Sequence, residues 1–464
     1  MKLLTPLVLG AAFLCGCADV SMPAYRRPDA PQKAAYSQKE AAPVSASDTI
    51  SPEWWKGFHD PYLDNLIRQA IAGNIDIRIL AARTRVAETQ IGEARAGALP
   101  TLNAGAGASF EKVTGQKFSK QFNVGSQVNW DIDIWGKFEK GVQAQQAEFQ
   151  ASEADWRAGY LSMVADVSGA YFQILQLDEQ SARQQQALAR GRQILATYEA
   201  MHANGLLPNT RVLQQRAETN RLSSDLLDLR RARDLAGNAL ATLLGVPAGE
   251  FTVPPGRLQQ TVQLPPVPAG LPAQLLERRP DIVAAEYRVL QAYNLVGQAK
   301  LAQLPSISLT GRGGSASFAL TDLLKTFTVG LLPSINLPMF DPSVKARIKT
   351  SEAQTEVAEQ LYRRTVIGAF EEVENALVNL DAHRKQRVEL QQQVEQLEIV
   401  GRQFAGQLRE GVVSQLDVFE SERSLLSAQL ALLANHQQLL SDTVTLYKAM
   451  GGGWPAVVVG AAAR

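Results

Sequence analysis

"QFNVGSQVNWDIDIWG", residues Gln121 to Gly136, decides how this chain is read. Apolar side chains fall on every second position: Phe122, Val124, Val128, Trp130, Ile132 and Ile134. Gln121, Asn123, Gln127, Asn129, Asp131 and Asp133 take the other face. A period of two means a β-strand with aromatics on one side and acids on the other. The sequence around it reads as long helix, so the strand needs something definite against each face.

The bulk composition narrows the field. The 464 residues carry 46 basic and 46 acidic side chains, giving a formal net charge of zero. No basic tract and no interleaving of basic and aromatic residues occurs, which argues against a nucleic-acid partner. The hydrophobic content is that of a folded protein, and the length suggests two or three domains. Met1-Lys2 is followed by "LLTPLVLGAAFL", an apolar segment too short to span a bilayer. It ends in Leu14-Cys15-Gly16-Cys17, which looks like a bacterial lipobox. Residues 1–16 are then a lipoprotein signal peptide and Cys17 carries a covalent N-terminal lipid; an ordinary signal peptide with an incidental Cys17 is the alternative. Cys15 leaves with the signal, so the mature chain has one cysteine and no internal disulfide. Ala18 stands where an aspartate would signal inner-membrane retention in enteric bacteria, which points to the outer membrane. No later window is apolar enough for a transmembrane helix.

Residues 17–60 read as an extended leader, rich in Pro and Ala over most of its length, and helical patterning begins at about Pro61. From there the chain repeats itself. Asp76-Ile77 returns as Asp281-Ile282, Leu99-Pro100 as Leu304-Pro305 and Trp135 as Phe340, all 205 positions on. Gly205 returns as Gly411, and Leu244-Gly245 as Met450-Gly451, now at 206. An offset that holds across both halves is a duplication. The first repeat covers 61–245, a Pro-rich linker 246–272, the second repeat 273–451, and a tail 452–464. Each repeat runs helix, two strands, very long helix, tight turn, helix. In the first, helices are expected at Tyr62–Leu99, Lys137–Ala203 and Asn209–Leu244, with strands at 101–110 and 121–134. The second has strands at 306–316 and 326–337. Tyr160, Val164, Val167, Tyr171 and Ile174 are spaced 4-3-4-3, and Val366, Phe370, Val373, Leu377 and Leu380 repeat that seam. Such spacing predicts antiparallel coiled-coil packing of helices on the order of 100 Å long.

The strands are in phase between repeats. Phe122, Val124, Val128, Trp130 and Ile132 correspond to Phe327, Val329, Pro333, Ile335 and Leu337, while Asn123 and Asn129 correspond to Thr328 and Ser334. Four strands with one apolar face, aromatics near their ends and scattered Gly fit a membrane β-barrel. Phe122, Trp130, Trp135 and Phe327 then form a lipid-facing aromatic belt, and Asn123, Gln127, Asn129 and Asp131 line the lumen. Four strands cannot close a barrel, for which about eight are needed. An open edge in lipid leaves backbone groups unpaired at several kcal/mol each, so the barrel must be shared between chains. Two hairpins packed on a soluble core is the alternative.

Several motifs then occur in order: "WWKGFHDPYLDNLI" (Trp54–Ile67), "ALPTL" (Ala98–Leu102), "DIDIWGK" (Asp131–Lys137), "ERRPDIVAAE" (Glu277–Glu286), "LPSISL" (Leu304–Leu309) and "MGGGWP" (Met450–Pro455). With the lipobox, they resemble the outer-membrane efflux proteins of the TolC family, in the lipoprotein branch typified by NodT-like and OprM-like channels. The resemblance covers essentially the whole mature chain. It implies a mostly α fold with a small β part: long α-helical hairpins forming a periplasmic tunnel, and four strands per chain in a trimeric twelve-stranded transmembrane barrel. It implies a homotrimer as the assembly. The partners are a periplasmic adaptor (a membrane fusion protein), an inner-membrane pump of the resistance-nodulation-division type, and outer-membrane lipid.

No catalytic constellation is present, so the chain is not expected to be an enzyme and no cofactor beyond the lipid is expected. His59, His202, His383 and His436 are scattered without metal-ligand spacing. Gly311-Arg312-Gly313-Gly314 sits in a strand and precedes no helix, unlike a phosphate loop. Asp131 and Asp133 share one strand face and read as a lumenal acidic patch, with Asp133 near the junction where Trp135-Gly136 turns the chain into helix. The turns matter more. By the resemblance, Gly205, Leu206, Leu207, Gly411, Val412 and Val413 form the periplasmic tip that contacts the adaptor, although a glycine there also serves as a helix C-cap. Leu416 and Glu420 take the positions of the family's gate, with Asp417 beside them; helix-start acids stabilised by the macrodipole are the other reading. The function expected is a passive duct exporting small molecules such as drugs. Metal-ion efflux, protein secretion, or a lipid-anchored coiled-coil protein without a pore are the alternatives.

Overall fold

The structure, a computed structural model, describes residues 25–29, 51–115, 117–258, 262–265, 279–338 and 340–453. The signal peptide, Cys17, most of the leader, much of the linker and most of the C-terminal tail lie outside the described residues. Eleven principal elements follow in order: α1 (Pro61–Gly73), α2 (Ile75–Ala96), β1 (Thr101–Glu111), β2 (Ser119–Ile132), α3 (Lys137–Ala203), α4 (Asn209–Leu244), α5 (Pro280–Leu301), β3 (Ser306–Ser317), β4 (Thr328–Asn336), α6 (Pro342–Arg409) and α7 (Gln415–Ala449). The chain is mostly helical with a small β part. Among the described residues no helix is long and apolar enough to cross a membrane.

Two compact units emerge. One comprises Met1–Ala30, Ala82–Ala154 and Ile282–Thr365 and holds the whole sheet; the other comprises Pro31–Ala81, Asp155–Asp281 and Val366–Arg464. The main hydrophobic core lies in the second. Tyr160, Val164, Val167, Tyr171 and Ile174 are all buried there, as are Val366, Val373, Leu377 and Leu380, with Phe370 half-buried. The 4-3 seam in both repeats is thus core.

Within the stretch expected to be extended leader, Trp54–Phe58 forms a 3-10 turn instead. Trp54, Trp55 and Phe58 are buried, and the Trp54 ring stacks on Tyr447 at 4.9 Å with the planes 10° apart. Aromatic burial of this size ends the extended leader before Trp54. Next, Asp60 caps α1: its Oδ1 accepts from the backbone N–H groups of Tyr62 (2.8 Å) and Leu63 (3.3 Å), and the Tyr171 hydroxyl donates to its Oδ2 at 2.7 Å. Pro61 at the first helical position loses no hydrogen bond.

The helix expected over Tyr62–Leu99 is two helices broken at Asn74. The Asn74 side chain accepts from Ile77 N–H at 3.0 Å, starting α2, and donates to the Leu243 carbonyl at 2.8 Å. Gly73 lies so close to the Leu244–Gly245 backbone that a Cβ on either glycine would collide with the other segment. The break therefore lets two chain segments touch.

In the second repeat, "ERRPDI" gains a physical meaning. Arg279, 8% exposed at its side chain, donates to both carboxylate oxygens of Asp281 (3.0 and 2.6 Å) and to the Ala449 carbonyl at the end of α7 (3.0 Å). It also pairs with Glu372 of α6 at 2.7 Å. One guanidinium thus joins three helices, with Pro280 opening α5 beside it.

The sheet is antiparallel in the order β1-β2-β3-β4. Leu102 pairs with Val128, Val128 with Gly311, and Gly311 with Leu331, placing these four on one face. The next row toward the strand–helix ends, Thr101–Asn129–Thr310–Leu332, lies on the other. The two hairpins differ in register. Leu102 pairs with Val128, but its counterpart Ile307 pairs with Ile335, two residues beyond the counterpart of Val128. A slip of two keeps every side chain on its own face, whereas a slip of one would invert them all.

Candidate functional site

The sheet presents two chemically distinct faces. Leu102, Phe122, Val124, Val128, Trp130, Leu309, Val329, Leu331 and Ile335 share one, by register. It has little protein cover: Val329 is 80% exposed and Leu102 70%. Phe327, just before β4, shares this side, its ring reaching the outer surface of Gly313. Phe110 contacts Phe118 and Phe122 at ring distances of 6.4 and 6.0 Å, an aromatic cluster at the loop end of the first hairpin.

Asn123, Gln127, Asn129 and Asp131 occupy the opposite face. Gln127 Nε2 donates to Asn129 Oδ1 at 2.7 Å, Thr310 Oγ1 donates to the same oxygen at 3.3 Å, and the hydroxyls of Ser308 and Ser334 meet at 2.7 Å. This polar face is the concave one. A hollow of about 710 Å³ lies over it, bordered by Asn103, Gly107, Asn123, Gln127, Arg312 and Thr328. β1 and β4 are the two edges, each paired on one side only. An apolar outer face, a polar concave face and two open edges are the parts of a barrel completed by other strands.

The junction from strand to helix corrects two expectations. β2 ends at Ile132, so Asp133 does not share a strand face with Asp131. Its carboxylate turns onto the start of α3, accepting from the N–H groups of Lys137 (2.7 Å), Phe138 (2.9 Å) and Glu139 (3.1 Å). Orphan donors at a helix N-terminus attract a carboxylate more strongly than a strand edge does. Trp135 likewise lies past the strand and half-buried, its indole N–H donating to the Pro305 carbonyl at 2.7 Å, so it braces the junction and is not part of the strand's aromatic row. Trp130 stays in that row and donates to the Ala98 carbonyl at 3.0 Å.

The two helical turns are built alike. Gly205 and Gly411 adopt φ of 74° and 75°, a left-handed conformation that glycine takes without Cβ strain. Gly205 N–H bonds the His202 carbonyl at 2.9 Å and Leu206 N–H that of Met201 at 2.9 Å. Gly411 and Val412 repeat this with Leu408 (3.1 Å) and Gln407 (2.9 Å). Both are Schellman motifs, which satisfy the last carbonyls with backbone alone. The side chains that follow are therefore spare: Leu206 is 71% exposed and Val412 69%, with Leu207 and Val413 half-buried.

The acids after the second turn separate cleanly. Asp417 closes a capping box with Ser414: its Oδ2 accepts from Ser414 Oγ (2.6 Å) and Ser414 N–H (2.8 Å), while Ser414 Oγ accepts from Asp417 N–H (3.4 Å). Those bonds, the Ser414 hydroxyl first, hold the Asp417 carboxyl below the usual carboxylate range. Leu416 and Glu420, one turn apart, are both exposed. Glu422 lies 3.7 Å from Arg190 of α3, an ion pair between the two repeats.

A model of the outer membrane efflux protein family matches residues 66–246 and 271–452, once per repeat. The chain belongs to the outer membrane efflux protein family. It is 31% identical to the toluene efflux pump outer membrane protein TtgC of Pseudomonas putida, over 98% of this chain and 96% of that one. It is 30% identical to the probable outer membrane lipoprotein SilC of Salmonella typhimurium, over 95% and 96%. Among solved structures, the open state of the MtrE outer membrane channel of Neisseria gonorrhoeae superposes with a TM-score of 0.84 at 30% identity, covering 93% of this chain and 98% of MtrE. This efflux-family chain is an outer-membrane channel protein, and its family is one of channels rather than enzymes. Among its described residues no group of three or more His, Cys, Asp or Glu is placed to hold a metal ion.

The Asp133 cap and the Arg190–Glu422 pair are not foreseen from the sequence, and Arg312 is foreseen in a strand but not on its concave face. A carboxylate four residues before a helix is the one signal that was available.

Proposed function

We propose that three copies of this chain join their sheets edge to edge, β4 of one beside β1 of the next, into one barrel in the outer membrane. The helical hairpins continue it as a tunnel through the periplasm, and the covalent lipid on Cys17 adds a second anchor. Small molecules such as drugs pass through this duct, delivered by an inner-membrane pump of the resistance-nodulation-division type and a periplasmic adaptor. The observation that carries the reading is the four-stranded sheet with an apolar outer face, a polar concave face and two unpaired edges. The protein does no chemical work; its partners open it.

The turns at Gly205-Leu206-Leu207 and Gly411-Val412-Val413 dock the adaptor, chiefly through Leu206 and Val412, which their own fold leaves exposed. Leu416 and Glu420 form the closing rings. A leucine ring narrows the opening and dewets it, while three like charges repel unless hydrated. The bonds that the Asp417 carboxylate accepts from Ser414 at the helix start support giving the charged ring to Glu420.

Conductance of the purified protein in planar bilayers tests the gate. Leu416→Ala and Glu420→Ala are expected each to raise the current several-fold over the unmodified protein. Unchanged current in both would reject the assignment.

A further inference from the structure

Charge on the concave face of the sheet is sparse and ordered. Among its described strand residues only Glu111, Asp131 and Arg312 are ionisable. Glu111 ends β1 and Asp131 lies one residue from the end of β2, so the acids sit near opposite rims. Arg312 lies mid-strand, in the row Asn103–Gln127–Arg312–Gly330. The adjacent row, Gly105–Gly125–Gly314–Thr328, is almost without side chains, so nothing there shields the guanidinium. Arg312 is exposed, borders the hollow and makes no ion pair among the described residues.

Spacing prevents self-neutralisation. Four residues separate the Arg312 row from the Asp131 row along β2, about 13 Å at strand rise, and eight separate it from the Glu111 row along β1, about 26 Å. Both exceed the Debye length of about 8 Å at physiological ionic strength. The mid-height of this face is therefore positively charged although the chain as a whole is neutral.

We propose that Arg312 is a specificity-determining residue of the exit duct. Repeated around the barrel, it makes a cationic ring that draws organic anions, molecules bearing carboxylate, sulfonate or phosphate groups, through the last stretch and retards cations of the same size. The inference rests on the barrel reading above, which turns the concave face into a lumen.

The test places a reporter thiol beside the ring. Gln127→Cys, opposite Arg312 in the register, is made in the full-length protein and labelled from outside on intact cells. The probes are two methanethiosulfonates of similar size, one bearing a sulfonate and one a trimethylammonium. The barrel mouth admits both whatever the state of the periplasmic end, and the ratio of their rates cancels differences in access. Adding Arg312→Gln should lower the anion-to-cation ratio about tenfold, as one unit charge at ~6 Å gives in water, and Arg312→Lys should preserve it. A ratio unmoved by Arg312→Gln overturns the role of Arg312 while leaving the channel intact. Failure of both reagents to reach Cys at position 127 in folded protein overturns the barrel reading itself and the inference with it.

Discussion

Arg279→Ala is expected to leave several-fold less folded protein in the outer membrane. The guanidinium is nearly buried and serves Asp281, Glu372 and the terminal carbonyl of α7 together. Removing it takes a donor from the Ala449 carbonyl and the guanidinium from beside the Asp281 and Glu372 carboxylates. Breaking a buried pair costs about 3–5 kcal/mol; Glu372 and Asp281 are partly exposed, so a value near ~3 kcal/mol is expected. Losses of that size lower abundance through proteolysis of the unfolded fraction. Arg279→Lys keeps the charge but loses the planar fork, so it should recover less than half of the loss. Immunoblots of outer-membrane fractions, with thermal unfolding of purified protein, read both effects. Normal abundance and an unshifted transition in Arg279→Ala would show that the junction of α5, α6 and α7 is held by something else.

Leu206→Glu combined with Val412→Glu is expected to abolish pump-dependent resistance while leaving the fold intact. Both side chains are spare in this chain because each turn is closed by backbone bonds at Gly205 and Gly411. Burying one such side chain in a partner is worth about 1.5–3 kcal/mol. Two per chain, repeated around the assembly, supply enough for the docking to depend on them. Glutamates there would have to be desolvated without partners, which reverses the sign. The minimal inhibitory concentration of a drug exported through this protein, in cells where it is the sole channel for the pump, should drop by tenfold or more at unchanged channel abundance. Resistance equal to the unmodified protein would remove the turns from the docking surface.

What could be read from sequence, and what could not, divides by the range of the interactions. Each strand face meets a definite environment, so the alternation around Phe122 to Ile132 shows the sheet directly. The 4-3 seam from Tyr160 to Ile174 is legible for the same reason, since one helix stripe packs along its whole length. The break at Asn74 is not, because it exists to let Gly73 meet Gly245, far along the chain. The period of two extends the strand to Asp133, but a helix start four residues on competes for the carboxylate and wins. The two-residue difference in hairpin register keeps the faces unchanged, so no hydrophobic pattern records it. Among the site residues, the glycines of the turns were legible from their positions in both repeats. The division of labour between Asp417 and Glu420 was not: it depends on which carboxylate reaches Ser414.

The central claim is that one chain supplies an incomplete barrel which three chains complete. Native mass spectrometry of the mature protein, extracted from outer membranes in a mild detergent, tests it most directly. A single species at three times the protomer mass is expected. A monomer that keeps its strand content in detergent, or any closed assembly other than three, would contradict it.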